Sequence, residues 1–196
     1  MPKLVDHAER RDRIIRAAWR LIADRGIDAA TMREIAREAG FANGALTHYF
    51  DDKESLLRAA YEYVYAATNE RVERAVAGLR GVPALRAFCR EVLPLDDLTV
   101  EEARTVLVVW SRIVVDDVLA QVHADFMRAW YDAIRGWLAQ GRALGEVRSS
   151  SPDAVLAGQL LNQLMGAQVL VVASDVAGPA TQEALLEDWI ERLTRP

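Results

Sequence analysis

The sequence contains very little cysteine and histidine. Cys89 is the only cysteine, so no disulfide can form within the chain. The single cysteine and the three histidines show no zinc-ligand spacing. No histidine has a glutamate three positions before it, as a di-iron helical bundle requires. No glycine-rich phosphate loop or nucleophile elbow occurs either. We therefore expect no enzyme activity, no metal and no cofactor.

The chain also lacks an excess of positive charge. Its net charge is −5, which argues against a protein that coats nucleic acid over its whole surface. The charge is uneven, because residues 1–50 hold nine basic and seven acidic side chains. The rest of the chain is therefore acidic, and this pattern hints at an anionic partner for the N-terminal part.

Long hydrophobic runs are scarce. Residues 1–13 contain no apolar core of a signal peptide, so we expect a cytoplasmic location. Residues 154–174 carry no charge and are long enough to cross a bilayer. Four amides interrupt this run and basic anchors are missing at its ends. We expect a helix buried against protein and no membrane partner.

Helical periodicity runs through nearly the whole chain, without a convincing alternating strand pattern. Apolar residues make up 52% of the sequence, enough for a sizeable core. Glycine and proline positions divide the pattern into about nine helices. We expect them at about 8–25, 31–40, 43–50, 51–79, 83–93, 100–116, 117–143, 152–174 and 180–194. The predicted fold class is all-α.

Residues 31–50 predict a helix-turn-helix. Thr31 and Glu34 have the spacing of a capping box, in which each side chain accepts the other residue's amide. Gly26 ends the preceding helix, and Gly40 permits the unusual backbone angles of the turn. The pattern is typical of two short helices joined by a tight turn.

The short third helix has two distinct faces. Leu46 and Phe50 lie one turn apart and point inward. The outward face then presents Asn43, Thr47 and His48, whose short polar side chains suit base edges and phosphate oxygens. From the turn alone, an ordinary corner of a helical protein is an equal alternative.

The run TMREIAREAGFANGALTHYFDDKESLLRAA, residues 31–60, resembles the DNA-binding domain of TetR-family transcriptional regulators. Many positions of the family pattern match at fixed spacing. They are Thr31, Ile35-Ala36, Ala39-Gly40, Gly44-Ala45-Leu46, Phe50 and the run Lys53-Glu54-Ser55-Leu56-Leu57. The resemblance implies a DNA-binding domain over residues 1–68, with three helices and the helix-turn-helix at about 31–50.

The resemblance also implies which residues contact DNA. Phosphate contacts would come from Thr31, Thr47, Tyr49 and Lys53, and base contacts from Arg33, Asn43, Gly44 and His48. His48 can equally bridge to a phosphate. Ala42 and Thr47 depart from the family, which usually has Ser and Tyr there, both commonly on the DNA backbone. These departures should alter how the helix sits in the groove.

Residues 69–196 resemble the C-terminal domain of TetR-family repressors of the choline-responsive, betaine-pathway type. The resemblance rests on LRAFCREVLPLDD at 85–97 and on the tryptophan-rich stretch 110–138. It implies a helical domain with a ligand cavity among the middle helices and dimerisation through the last two. It does not imply choline as the ligand.

Two residue sets in this domain are candidates for those roles. The cavity candidates are Phe88, Cys89, Trp110, Ile113, His123, Phe126, Met127, Trp130, Tyr131, Trp137, Asn162 and Gln163. Each is more often plain core than ligand contact, and the two amides could instead hydrogen-bond across a dimer. The dimer candidates, on two strongly apolar helices, are Leu156, Leu160, Gln163, Leu164, Leu185, Leu186, Trp189 and Ile190. Burial inside one subunit is the alternative for them.

The functional hypothesis is a homodimeric repressor that binds a palindromic DNA operator and is released by an unknown small-molecule effector. The alternative from another class is a helical interaction protein that does not bind DNA. Binding to random duplex DNA separates the two.

Overall fold

Every regular element in the described part of the chain is helical. The computed structural model describes residues 2–42 and 44–195, with side chains from residue 7 onward. These residues form eight α-helices and one short 3-10 helix, so the predicted all-α fold is confirmed. The α-helices are α1 (Pro2–Ala29), α2 (Met32–Ala39), α3 (Lys53–Val76), α4 (Gly81–Val92), α5 (Asp97–Ile113), α6 (Asp117–Ala143), α7 (Asp153–Ala173) and α8 (Pro179–Thr194). The 3-10 helix spans Ala45–His48.

Helix α1 is longer than predicted and is interrupted where predicted. It starts at Pro2, a position where the missing N–H of proline costs no hydrogen bond. Gly26 has φ 77° and ψ 171°, which breaks the helical path before its last residues. The apolar face of α1 packs in one core with α2, the 3-10 helix and the start of α3. We call this unit, residues 2–60, the head.

The predicted third helix, 43–50, is a 3-10 helix of only four residues. Gly44 precedes it with φ 89°, and the Thr47 hydroxyl donates to the Gly44 carbonyl at 2.7 Å. At its end the Tyr49 amide donates to the Leu46 carbonyl, three residues earlier, as in a 3-10 turn. Leu46 and Phe50 are buried as predicted. Asn43 lies outside the described residues.

Helix α3 belongs both to the head and to the remainder of the chain, which we call the body. Leu56 and Leu57 lie in the head core, whereas Tyr65 and Val72 lie in the body core. The domain boundary predicted near residue 68 falls within this continuous helix. A second connection forms where α5 contacts α1. Head and body are therefore joined by packed helices.

The body core forms where α4, α6, α7 and α8 meet. Its fully buried centre includes Leu85, Phe88, Cys89, Ile134, Leu138 and Leu160. Burial raises the pKa of the Cys89 thiol. Because the thiolate is the reactive form, Cys89 is a core residue without nucleophilic character.

Among the described helices, α7 alone is long and apolar enough to cross a membrane by length and composition. Leu156, Leu160 and Leu164 on one side of α7 are buried in the body core. On the other side Val155 and Val169 are 49% and 42% exposed. Helix α7 therefore packs on the body with one face and leaves an apolar face uncovered.

The residues predicted for a dimer interface differ in their burial. Six of them are buried within a single subunit: Leu156, Leu160, Leu164, Leu186, Trp189 and Ile190. Their side chains pack on other helices of the same chain. Gln163 is half-buried and Leu185 is exposed. Burial inside one subunit, the alternative for these residues, describes six of the eight in this single chain. The dimer interface stays a prediction.

Candidate DNA-binding surface and ligand cavity

Thr31 caps helix α2, as its position predicts. The Thr31 hydroxyl accepts the Glu34 amide at 3.2 Å. The reciprocal half of the predicted capping box is absent, because the Thr31 amide donates to the Ala29 carbonyl and Glu34 pairs with Arg37. The cap orders the first turn of α2 and leaves the Thr31 side chain exposed at the helix N-terminus.

Two glycines set the path between α2 and α3. Gly40 has φ 77°, and its amide donates back to the last turn of α2. Gly44 has φ 89°, which a residue with a side chain adopts only with strain. The chain leaves α2 and brings the 3-10 helix into contact with it. This geometry is that of a helix-turn-helix with a shortened second element.

The outer surface of this unit carries most of the predicted DNA contacts. Arg33, Ala42, Gly44, Thr47 and His48 are all exposed. The Thr47 hydroxyl proton is already donated to the Gly44 carbonyl. A phosphate oxygen accepts but does not donate, so this hydroxyl cannot bind a phosphate in the same conformation.

Tyr49 and Lys53 are partly buried at the edge of this surface. The Tyr49 ring lies against His7 of α1, with ring centroids 4.6 Å apart, and also near Phe41. Lys53 Nζ donates to the Ile27 carbonyl at 2.5 Å, which ties α3 to the end of α1. Both side chains are held in place by contacts that the sequence pattern did not predict.

Two arginines of α1 add positive charge beside the helix-turn-helix. The guanidinium of Arg11 lies 5.0 Å from the centroid of the Phe50 ring, and that of Arg13 lies 6.0 Å from the Phe41 ring. Both arginines are exposed. The sequence showed them only as part of a basic N-terminal half, because their position over the turn depends on how α1 crosses it.

A cavity of about 40 Å³ lies in the body between α3, α5, α6 and α7. Four rings face it, from Tyr61, Tyr65, Trp110 and Trp130. The other apolar walls are Val64, Val92, Ala103, Val106, Met127 and Met165, and the remaining polar lining residues are Thr68, Thr99, Glu102 and Gln168. An apolar chamber with a few polar groups is the usual character of a small-molecule site.

A partly buried ion pair holds the Glu102 carboxylate in the cavity wall. Arg71 Nη1 and Nη2 donate to the two carboxylate oxygens of Glu102 at 2.7 and 2.8 Å. Thr68 donates to the same carboxylate, and Arg71 also donates to Glu91. The hydrogen bond to Glu102 is the main reason why the pKa of Arg71 is raised. The bidentate geometry satisfies the Glu102 charge within the protein.

A second polar contact lies at the opposite side, where Tyr61 meets His123. The Tyr61 hydroxyl oxygen and His123 Nδ1 are 2.6 Å apart. Burial raises the pKa of Tyr61 to about 12, and burial lowers the pKa of His123. Both groups are therefore neutral near pH 7, and the tyrosine hydroxyl is the natural donor to the imidazole.

The predicted cavity residues fall into two groups. Trp110, Met127 and Trp130 line the cavity. His123 and Phe126 lie one layer behind it, since His123 contacts Tyr61 and the Phe126 ring stacks on Tyr65 at 3.6 Å.

The other candidates lie elsewhere. Phe88 and Cys89 are in the body core, with Trp137 against Phe88, and Ile113 packs in a small cluster beside Tyr61. Tyr131 donates to the Ala154 carbonyl, Asn162 is exposed, and Gln163 lines a surface groove with Trp189. The aromatic residues of α6 predicted a cavity, but their pattern did not distinguish the residues that line it from those in the hydrophobic core. The polar residues of α3 and α5 that line it gave no periodic signal.

Three successive turns of α3 contact α6 on the side that faces the cavity. Arg58 forms an ion pair with Asp116 at 3.1 Å, at the residue that caps α6. Tyr61 contacts His123, and the Tyr65 hydroxyl donates to the Phe126 carbonyl. Arg58 also lies beside a surface groove between head and body. These contacts connect the cavity wall to the part of α3 that enters the head.

The family comparison agrees with this geometry. Residues 14–60 match the family described as bacterial regulatory proteins, tetR family. Residues 81–195 match the C-terminal region of the BetI-type transcriptional repressors. This chain is a TetR-family regulator of the BetI type.

In the residues that the structure describes, no group of His, Cys, Asp and Glu side chains could hold a metal ion.

Curated relatives match this chain over about half of its length. The transcriptional regulator PksA of Bacillus subtilis (strain 168) is 38% identical over 103 residues, which are 52% of this chain and 50% of PksA. The regulator BetI of Yersinia pestis (strain Pestoides F) is 33% identical over 115 residues, 57% of this chain and 58% of BetI. The chain thus spans about half the length of the curated relatives it matches.

One solved structure has the same fold over nearly the whole chain. It is a regulator from Saccharomonospora viridis in complex with choline, 24% identical, with a TM-score of 0.87 over 94% of this chain and 96% of that one. At this identity the likeness establishes the fold and nothing about the ligand.

Proposed function

We propose that this regulator is a dimeric repressor that binds a palindromic operator and leaves it when a small molecule enters the body cavity. Helix α3 is the observation that carries this proposal. Its first turns pack in the head core beside the helix-turn-helix, and its middle lines the cavity. Membership of a family of transcriptional repressors supports the same function. We propose no catalytic activity and a cytoplasmic location.

The DNA contacts in this proposal come from the exposed surface of the head. Arg33, Asn43, Gly44 and His48 contact bases, as the family pattern implies, and His48 can instead reach a phosphate. The phosphate contacts come from Thr31, Tyr49 and Lys53.

The structure suggests two changes to this set. Thr47 closes the 3-10 turn through its bond to Gly44, so its role is conformational. Arg11 and Arg13 are added as phosphate contacts, because they are exposed beside the turn. Arginine suits such contacts because its charge is permanent and its donors are planar.

The dimer in this proposal uses the uncovered face of α7. Val155, Gln159, Asn162, Gly166 and Val169 follow helical spacing along this face. Leu185 of α8 adds a further exposed apolar side chain. A second copy would cover these groups and place the two heads roughly 34 Å apart, the spacing of successive major grooves.

The ligand acts in this proposal by population shift. A molecule that prefers the conformation with misplaced heads lowers operator affinity by its differential affinity for the two states. Its effect reaches the head through the contacts of α3 with α6, which involve Arg58, Tyr61 and Tyr65.

Selection from a random duplex library at moderate salt tests the proposal. We expect enrichment of a palindrome with half-sites about one helical turn apart. Arg33→Ala and Asn43→Ala should relax the selected sequence. Arg135→Ala, an exposed arginine on α6 that is paired with Asp132, should leave it unchanged. Weak, salt-sensitive binding without enrichment, with or without candidate ligands, would favour a helical interaction protein instead.

A further inference from the structure

Nearly every polar side chain around the body cavity already has a partner within the protein. The Tyr61 hydroxyl contacts His123, the Tyr65 hydroxyl donates to Phe126, and Gln168 donates to Val92. Thr99 is used in the cap of α5, and Thr68 and Arg71 satisfy Glu102. The Trp130 indole donates to Asn69. A ligand finds few unused hydrogen-bonding groups here.

The indole N–H of Trp110 is the exception. It is buried without a hydrogen-bond partner. Among the described residues, Trp19 and Arg86 also have a buried nitrogen without a partner, but neither residue lines the cavity. Tyr61 and Trp110 both line the cavity, but no hydrogen bond joins the Trp110 indole N–H to the Tyr61 hydroxyl. An unpaired buried donor is costly, so a partner that accepts this proton gains free energy.

The charges of the cavity do not favour a cationic ligand. Glu102 is its only carboxylate, and Arg71 neutralises it through two hydrogen bonds. The Tyr65 ring is stacked on both Phe126 and Trp130. The other two lining rings, Tyr61 and Trp110, each contact the His123 ring, so all four rings already pack on another ring. A cation needs either an unpaired carboxylate or an open ring face.

From these observations we propose that the effector is a small uncharged molecule whose oxygen accepts the Trp110 indole N–H. This rests on the proposed function, since it names the ligand class of the same cavity. Two methionines, Met127 and Met165, line the chamber and supply adaptable walls for a molecule larger than its present volume.

The indole N–H signals of the isotope-labelled protein test this directly. The chain has five tryptophans, and Trp110→Phe assigns the Trp110 signal by its loss. The probes are small neutral alcohols, ketones and lactones, among them the carbon isostere of choline, together with choline itself. We expect a neutral probe to shift the Trp110 signal and to bind at least about tenfold more tightly than choline. Choline binding as tightly as its isostere, or no neutral probe shifting the signal, would overturn the proposal.

Three matched variants separate ligand binding from folding. Trp110→Phe should weaken the best neutral probe roughly 3- to 10-fold, because one hydrogen bond is lost, without lowering the melting temperature. Trp137→Phe, outside the cavity, should leave probe binding unchanged. Trp130→Phe should lower the melting temperature, because Asn69 loses its donor. If Trp110→Phe lowers the melting temperature but leaves probe binding unchanged, Trp110 has a structural role and the proposal is wrong.

Operator affinity is measured separately, with and without the best probe. Release of the operator supports both the ligand class and the effector role. A probe that shifts the Trp110 signal but leaves operator affinity unchanged would support the ligand class and overturn the effector part of the proposed function.

Discussion

The head and the body reach their conformations by different means. The head surface depends on local devices: the Thr31 cap, the glycines 40 and 44, and the cap of α3, where Asp52 and Ser55 bond each other. The body cavity depends on pairs far apart in sequence, such as Arg71 with Glu102 and Tyr61 with His123. Changes in the head should therefore act through backbone geometry, and changes in the body through burial and pairing.

The largest expected effect lies in the body, at the ion pair between Arg71 and the buried Glu102. Arg71→Met leaves the Glu102 carboxylate buried and unpaired, which should cost about 3–5 kcal/mol of unfolding free energy. Urea denaturation measures it. Replacing both partners with methionine should recover most of the loss, and Arg90→Met, which removes an exposed pair with Glu183, should cost under about 1 kcal/mol. Equal losses at Arg71 and Arg90 would contradict this.

In the head, the corresponding change is Gly44→Ala. A side chain at φ 89° should cost about 1–2 kcal/mol, although no atom lies within 4 Å of the added carbon. Operator affinity should fall more than stability does, because the 3-10 helix is displaced. Gly136→Ala, inside α6 with equally free space, should be neutral or stabilising by up to about 1 kcal/mol. If both glycines tolerate alanine equally, the backbone account of the head fails.

A smaller effect is expected from pH, through His123. Its pKa is lowered by burial, so the folded protein binds this proton less readily than the unfolded chain. Its contribution to stability is complete above about pH 6.5, the unfolded pKa, and is lost as the pH falls towards the folded pKa. His123→Asn, which keeps an acceptor for Tyr61, should flatten the melting temperature between about pH 5 and 7. His48→Asn, on the exposed head surface, is the control; a flattening there instead would assign the effect to the head.

The smallest expected effect is on the salt dependence of DNA binding. Lys53→Ala should weaken binding to all duplexes alike and reduce the slope of log affinity against log salt by about one unit. It also removes the bond to the Ile27 carbonyl, so stability is measured alongside. Arg128→Ala on α6 should leave the slope unchanged; a change in sequence preference with Lys53→Ala would make Lys53 a base contact.

The head and the body also differ in how much of their structure could be predicted from the sequence. Helix positions, the inward side chains Leu46 and Phe50 and the Thr31 cap follow from spacing within a few residues. The 3-10 form of 45–48 was missed, because helical periodicity does not distinguish four residues of 3-10 helix from two turns of α-helix.

The body was predicted as helices but not as a cavity. Apolarity all round α7 indicates burial, yet which face is covered depends on how α5 and α6 pack against it. Glu102 and Arg71 lie 31 positions apart on different helices, so no local pattern shows that they meet at the cavity wall. The aromatic residues could be recognised as cavity candidates from the sequence. Which of them line the cavity depends on how the helices pack.

Helix α3 also sets a mechanical scale. Its 24 residues make a rod of about 36 Å, since each residue adds about 1.5 Å. A tilt of about 5° about one end moves the other by about 3 Å, close to the rise of one base pair, about 3.4 Å. An angular change too small to disturb the core of either unit is therefore enough to put a head out of register with its half-site. Because α3 is long, a small change of its angle at the ligand cavity becomes a displacement of the head that the DNA groove does not tolerate.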